Sequence, residues 1–340
     1  MKLTFLFLLL FALGSSHAQV TFRVDSFSAD YYGIVEIKDT SETFSPGTIT
    51  IYQSKTNKAL IRLKSDELAA SLQNGHVLAN KLSLPYGEQS MIIYDDFNFD
   101  GKKDFAVEDG QNSCYHGPSF RIYLASAKDF VFDSAFTRLA QEYCGMFQYN
   151  VDTKTINTMT KSGCCWHEFS EFIIANSKPK AISIITSDQS NFPFEKYTEE
   201  KWNGKNMDTK SVKTINIDQD GITVILSFSI PESNKKLILY NINDRTLNYV
   251  LLKKDSTVEF SYPIETVYQN PDFIFHDSPS TPSVTFVNGN ATYKVYETTD
   301  GMGVQVKLNG KVYDLKGDIK NKKGSLTTLG KVKLDNVVYH

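Results

Sequence analysis

The chain has 340 residues, 36 Lys and Arg against 39 Asp and Glu, and a net charge of −3. This mildly acidic balance argues against a general nucleic-acid surface, which needs clustered cations to neutralise phosphates. Its length is enough for two ordinary domains.

The first residues, MKLTFLFLLLFALGSSHAQV, place Lys2 before an apolar run and end it in small and polar residues. This pattern predicts a secretory signal peptide over 1–18, because the run is short for a membrane span and no cysteine follows it for a lipid anchor. The mature chain is expected from about Gln19, periplasmic or secreted, with no membrane span after signal removal and a net charge of −3 − 1 = −4.

Next come short apolar runs with alternating polarity, such as Gly33–Lys38 and Gly47–Tyr52. Period-two alternation of β-branched and aromatic residues predicts half-buried strands. Ser65–Leu72 has a capping serine, acids in its first turn and Gly75 beyond, so a short helix is expected there. A second is expected over Ser134–Ala140.

Between two apolar runs lies Asp95-Asp96-Phe97-Asn98-Phe99-Asp100-Gly101-Lys102-Lys103-Asp104. Asp96, Asn98, Asp100 and Asp104 fall at positions 1, 3, 5 and 9 of a calcium loop, with glycine at 6 and the Lys102 carbonyl at 7. The acid at position 12 is missing, since Val107 stands there. The flanks Met91–Tyr94 and Phe105–Val107 read as strands, so a structural Ca2+ site of strand–loop–strand form is expected. A similar start at Asn216–Gly221 lacks the ninth ligand and reads as a hairpin turn.

The four cysteines, Cys114, Cys144, Cys164 and Cys165, suit the disulfides of an exported protein. Adjacent Cα atoms lie about 3.8 Å apart, below the usual disulfide span, so a 164–165 bond is disfavoured. Two pairings remain: 114–164 with 144–165, or 114–165 with 144–164. A zinc site using these thiols with His116 and His167 lacks a C-x-x-C knuckle.

Strands Ser119–Leu124 and Met146–Val151 precede Lys161-Ser162-Gly163-Cys164-Cys165-Trp166-His167. A glycine turn stapled by cysteines beside one of two tryptophans is suited to binding, because a rigid loop loses little entropy on docking. Ser162, Gly163 and Trp166 are therefore candidate partner-binding residues. His167-Glu168-Phe169-Ser170-Glu171 begins like a zinc-protease helix but has Glu171 where the second histidine belongs. Neither a nucleophile elbow nor a phosphate-binding P-loop occurs, and nothing singles out Asp109, Glu168 or Glu171 as a catalytic pair. No enzymatic activity is expected.

A polar, turn-rich stretch near 190–212 predicts a boundary, giving a calcium-loop, disulfide-containing domain over 19–204 and a β-meander over 205–340. The second half carries strands at Gly221–Leu226, Lys236–Tyr240 and Thr257–Tyr262, then two Asn-Gly hairpin signals at 288–289 and 309–310. The expected class is mainly β, with antiparallel sheets in sandwich or propeller-like arrangement and one or two short helices.

The stretch from Tyr94 to about Asn176 resembles a family of exported bacterial proteins. That family is related to periplasmic lysozyme inhibitors and to immunity proteins against secreted peptidoglycan-hydrolase toxins. The calcium loop Asp96–Asp104, the Gln111–Cys114 turn and the Phe147–His167 hairpin carry the likeness. The resemblance implies a β-rich calcium-binding protein that inhibits a cell-wall hydrolase by inserting a loop into its cleft. Ser162-Gly163-Cys164-Cys165-Trp166 matches the inhibitory Ser-Gly-x-x-Tyr pattern except that tryptophan replaces tyrosine. The alternatives from the residues alone are a calcium-stabilised surface or glycan-binding module, and a hydrolase using Glu168 or Glu171.

Overall fold

A computed structural model describes residues 19–340 except 26, 40–41, 69–71, 74–75, 78–81, 85–86 and 265–270. The expected signal peptide lies outside the described residues. The fold is mainly β, as its alternating sequence predicts. It divides into two compact units: residues up to Ile185 with Glu200–Asp208, and Thr186–Glu199 with Thr209–His340. The boundary expected at 204–205 falls within Glu200–Asp208.

The first unit opens with an antiparallel sheet of β1 (Val20–Val24), β2 (Tyr31–Ile37), β3 (Ser45–Gln53) and β4 (Ala59–Leu68). Two short ladders follow, β5 (Leu72–Gln73) with β6 (His76–Val77) and β7 (Leu82–Leu84) with β8 (Gly87–Gln89). A second sheet runs β12-β11-β10-β9, from β9 (Ile92–Asp95), β10 (Asp104–Ser113), β11 (Gly117–Ala125) and β12 (Phe130–Phe132). Helix α1 (Ser134–Leu139) and strands β13 (Gln148–Asn150), β14 (Thr155–Ser162) and β15 (Trp166–Ala175) follow. Asp133 caps α1 by accepting from the Ala135 and Phe136 amides.

One core joins the two sheets, α1 and the β14–β15 hairpin. Val35, Ile49, Ile51, Leu63, Ile92, Phe105, Phe120, Phe136 and Ile156 are buried in it. A Cβ on Gly33 would come within 2.4 Å of the Ile92 side chain, so glycine is what lets the two sheets approach there. Nearly all of β10 is buried.

Of the helix expected over Ser65–Leu72, the described residues are strand instead, and residues 69–71 lie outside the described residues. Ser65–Leu68 extend β4, with Ser65 opposite Gly47 and Leu68 opposite Ser45. The Ser65 hydroxyl donates to the Asp109 carbonyl at 3.0 Å and accepts from the Glu67 amide. Buried Leu68 joins the core. Period-two pairing therefore overrides a local cap signal.

Strands β16 (Lys178–Asp188), β17 (Phe194–Trp202) and β18 (Met207–Ile215) carry the chain into the second unit. There one sheet runs β22-β21-β20-β19-β28, from β19 (Ile222–Ile230), β20 (Lys235–Ile242), β21 (Thr246–Leu252), β22 (Val258–Tyr262) and β28 (Asp318–Gly324). The other runs β27-β26-β25-β24-β23-β29, from β23 (Phe273–His276), β24 (Ser283–Asn288), β25 (Ala291–Glu297), β26 (Met302–Leu308), β27 (Lys311–Lys316) and β29 (Val337–Tyr339). Phe228, Leu239, Leu247 and Tyr249 bury against Phe273, Phe275, Phe286 and Val304. Buried Asn336 ties the chain end to β21, accepting from the Leu247 amide and donating to the Leu247 carbonyl.

Both Asn-Gly signals mark hairpins: Asn309 and Gly310 take left-handed φ of 51° and 78° between β26 and β27, whereas Asn288 still pairs with Ala291, so Gly289-Asn290 make the turn between β24 and β25. Asn216–Gly221 differs. It is a turn, but β18 and β19 belong to different sheets, so it connects sheets and closes no hairpin.

Candidate functional site

Two local structures carry the candidate residues, and both lie in the first unit. The first is the acidic loop. It joins paired antiparallel strands, with Asp95 opposite Asp104 and Tyr94 opposite Phe105. Phe97 is its anchor, wholly buried edge-to-face against Phe147 at 5.6 Å and Tyr149 at 5.4 Å. Gly101 takes a φ of 86°, which supplies the reversal.

The loop's polar side chains wrap its own backbone. The Asp96 oxygens accept from the Asp100 amide at 3.1 Å and the Gly101 amide at 2.8 Å. Asn98 Oδ1 accepts from the Asp100 amide at 3.0 Å, and Asp100 Oδ1 from the Lys102 amide at 2.8 Å. Asp104 is fully buried and bridges two segments, accepting from the Phe97 amide at 3.0 Å and the Ala125 amide at 2.8 Å.

Burial pushes the Asp104 carboxyl up to about 6; its two amide bonds pull it down, and Asp100 and Asp96 push it up. Neighbouring Asp95 goes the other way. Burial raises it, but the Tyr149 hydroxyl, the Asp96 amide and Lys103 outweigh burial and hold it below the usual range. Among the described residues, no three His, Cys, Asp or Glu side chains are drawn into a metal-ligand cluster. The donors are all hard oxygens, as calcium needs, and each oxygen engaged by an amide keeps a further lone pair.

The second structure is the β14–β15 hairpin tip. Ser162 and Trp166 pair across it, leaving Gly163, Cys164 and Cys165 as the turn. Gly163 has a φ of 62°, where a side chain would be strained. The disulfides correct both expected pairings. Cys164 bonds Cys165, with Cα atoms 3.7 Å apart, and Cys114 bonds Cys144 at 4.8 Å. The Cys114 amide donates to the Tyr143 carbonyl, which brings 114 beside 144. That leaves Cys164 and Cys165 at the tip, where a tight turn accommodates a spacing below the usual range. All four thiols are thus consumed, which removes the thiolates that zinc would need.

Tyr115, which follows Cys114 and meets Gly163, is absent from the sequence-derived site. It is 60% exposed. Its hydroxyl accepts a short hydrogen bond from the Gly163 amide and lies 3.4 Å from the Gly163 carbonyl. Lys161 Nζ stands 5.1 Å above its ring. Tyr115 and His116 take left-handed φ of 53° and 57°, an uncommon strain for consecutive non-glycine residues. Positive φ at a tyrosine has no sequence signal, so Tyr115 enters none of the patterns that its neighbours Cys114 and His116 suggest. His116 sits 3.4 Å from Glu67 and 5.1 Å from the Phe44 ring.

Trp166 opens β15 half-buried, while Phe169 further along is half exposed. Side chains alternate along a strand, so Glu168 and Glu171 project from opposite faces of β15. Glu168 Oε1 accepts from the Ser170 hydroxyl at 3.2 Å. Asp109 is buried and bonded to Ser119, Gln141 and Arg121. These three acids do not form a facing pair.

No protein-family model matches the chain, and no curated protein matches it. Among solved structures, it is similar to a Xanthomonas type IV secretion system related protein. The identity is 18% and the TM-score 0.42, over 58% of this chain and 94% of that one. It is also similar to prolyl oligopeptidase B from Galerina marginata, at 9% identity and TM-score 0.22, where it spans 44% of that chain and 90% of its own. The periplasmic gluconolactonase of Pseudomonas aeruginosa matches at 11% identity and TM-score 0.18, over 90% of this chain and 95% of that one. Likenesses this distant carry no functional argument. Among the described residues, no helix is long and apolar enough to cross a membrane.

Proposed function

We propose that this is an exported calcium-binding protein that binds and inhibits a cell-wall hydrolase, in the manner of the lysozyme-inhibitor and immunity proteins it resembles. The observation that carries the reading is the hairpin tip. Ser162 and Trp166 pair at the base of a turn in which Cys164 and Cys165 are locked to each other by a disulfide and the Gly163 amide is hydrogen-bonded to Tyr115 across 48 residues of sequence. A tip fixed before binding loses little conformational entropy when it enters a cleft. Calcium in the Asp96–Asp104 loop would be structural, relieving repulsion among three carboxylates beside a buried aromatic anchor.

Two disulfides support export to an oxidising compartment. The exposed rings of Tyr115 and Phe169 also suit a sugar face, which keeps glycan binding as the second reading.

Capture of envelope proteins on the immobilised mature chain, in calcium, tests the function. A captured peptidoglycan hydrolase that is lost with Trp166→Ala supports it. Retention of purified cell-wall glycan with no hydrolase would favour the second reading instead.

A further inference from the structure

The second unit contains a cavity that the proposed function leaves unused. It lies at one end of the β22-β21-β20-β19-β28 sheet and has a volume of about 340 Å³. That is at the lower end of the range for small-molecule sites. Three segments build it: the turn from β19 to β20, the turn from β21 to β22, and the start of β28.

Its lining is strongly cationic although the chain is acidic. Lys235, Lys236, Lys253 and Lys254 all line it, against the single acid Asp318. Three of the four acids nearby have partners, and the fourth, Glu232, sits exposed in the β19–β20 turn without lining the cavity. Glu259 pairs with Lys235 at 2.6 Å. Asp318 accepts from the Lys320 amide and the Asn321 side chain. Asp255, in the same turn as Lys253 and Lys254, accepts from the amide and hydroxyl of Thr257. Among the described residues, Lys236, Lys253 and Lys254 have no carboxylate within ion-pair distance.

Two rim residues hold left-handed backbone, ordinary for the turn cap Asn234 and uncommon for Ser256. Asn234 has a φ of 53° and Ser256 a φ of 65°, both left-handed, and both line the cavity. Next to Asn234, the Ser233 hydroxyl is buried with no hydrogen-bond partner.

We propose that this cavity binds the phosphate group of a small phosphorylated ligand, of sugar-phosphate size. The cations are lysines only. An ammonium is a compact point charge with rotatable donors, a form in which lysine commonly binds phosphate, and several of them lining one cavity suit a multiply charged group. Asn234, Ser256 and Asn321 supply neutral donors for the remainder of the ligand.

The test is calorimetric titration of the full mature chain with glucose 6-phosphate, inorganic phosphate and glucose. Sedimentation with vesicles of equimolar phosphatidylcholine and phosphatidylglycerol is run beside it. Glucose 6-phosphate is expected to bind in a salt-dependent way and glucose not at all. Inorganic phosphate binding more weakly at the same site also supports the proposal. Lys236→Ala and Lys253→Ala are each expected to weaken binding by about tenfold. Lys254→Glu, at an exposed turn position, tests the same point where Lys236→Ala fails to fold, as judged by its thermal melt. Absence of binding at millimolar glucose 6-phosphate overturns the proposal. So does equal binding by folded variants, or binding to the vesicles alone.

Discussion

Replacing Asp104 by asparagine tests the electrostatics of the acidic loop. Asp104 is fully buried and its carboxyl is pushed up from 3.8 to about 6. A group whose folded value is raised binds its proton more tightly in the fold. Stability therefore falls as pH climbs from about 4 to 6, and the full cost stands above that window. The shift of 6 − 3.8 corresponds to about 3 kcal/mol at neutral pH. The Asp104→Asn variant carries no such cost. Its new side-chain amide would face one of the two backbone donors, Phe97 or Ala125, at a constant penalty of about 1–3 kcal/mol. The informative quantity is thus the pH dependence of the difference. Urea unfolding in excess chelator should show the variant gaining on the wild type by about 2 kcal/mol between pH 4.5 and 7. In saturating calcium at pH 7 the order should reverse, because bound cation stabilises the wild type by mass action and the variant lacks one charged ligand. A pH-independent difference in chelator would refute the burial argument.

Phe97→Ala should cost about 3–5 kcal/mol in urea unfolding, since the ring is wholly enclosed by the core, and should weaken calcium binding measured by calorimetry. The two disulfides should separate cleanly. Cys114→Ser with Cys144→Ser opens a crosslink spanning 30 residues and should cost roughly 3–4 kcal/mol. Cys164→Ser with Cys165→Ser should barely move the melting temperature yet weaken partner capture. In the second unit, burial raises the Glu297 carboxyl, but Lys322, the Leu326 amide and Ser325 outweigh it and hold it below its usual 4.5. Its contribution is present above that value and is lost as pH falls below it, through the lowered value of the folded state. Glu297→Gln should therefore flatten the acid limb of the stability curve measured by chemical denaturation.

The strands were legible because alternation is a local signal: Gly47–Tyr52 and Lys236–Tyr240 fall within β3 and β20. The Asn-Gly turns were legible for the same reason. Ser65–Leu68 misled because a helix cap and a strand end share serine and acids, and only the β3 and β10 neighbours decide between them. The disulfides misled because the spacing rule for adjacent cysteines carries no information about which backbone segments meet. The calcium spacing was plain from Asp96 to Asp104, whereas the burial of Asp104 depends on Phe97 and on Ala125, far along the chain. Tyr115 was invisible, since its role comes from a contact to Gly163.

The central claim is that the stapled tip inhibits a cell-wall hydrolase. Its most direct test is to titrate the mature chain, in calcium, against a broad panel of lysozymes and peptidoglycan hydrolases while following cell-wall clearing. The account predicts stoichiometric inhibition of at least one enzyme, weakened by Trp166→Ala and by Tyr115→Phe and unchanged by Lys254→Glu. Full clearing by every enzyme in the panel, at excess protein, would contradict it.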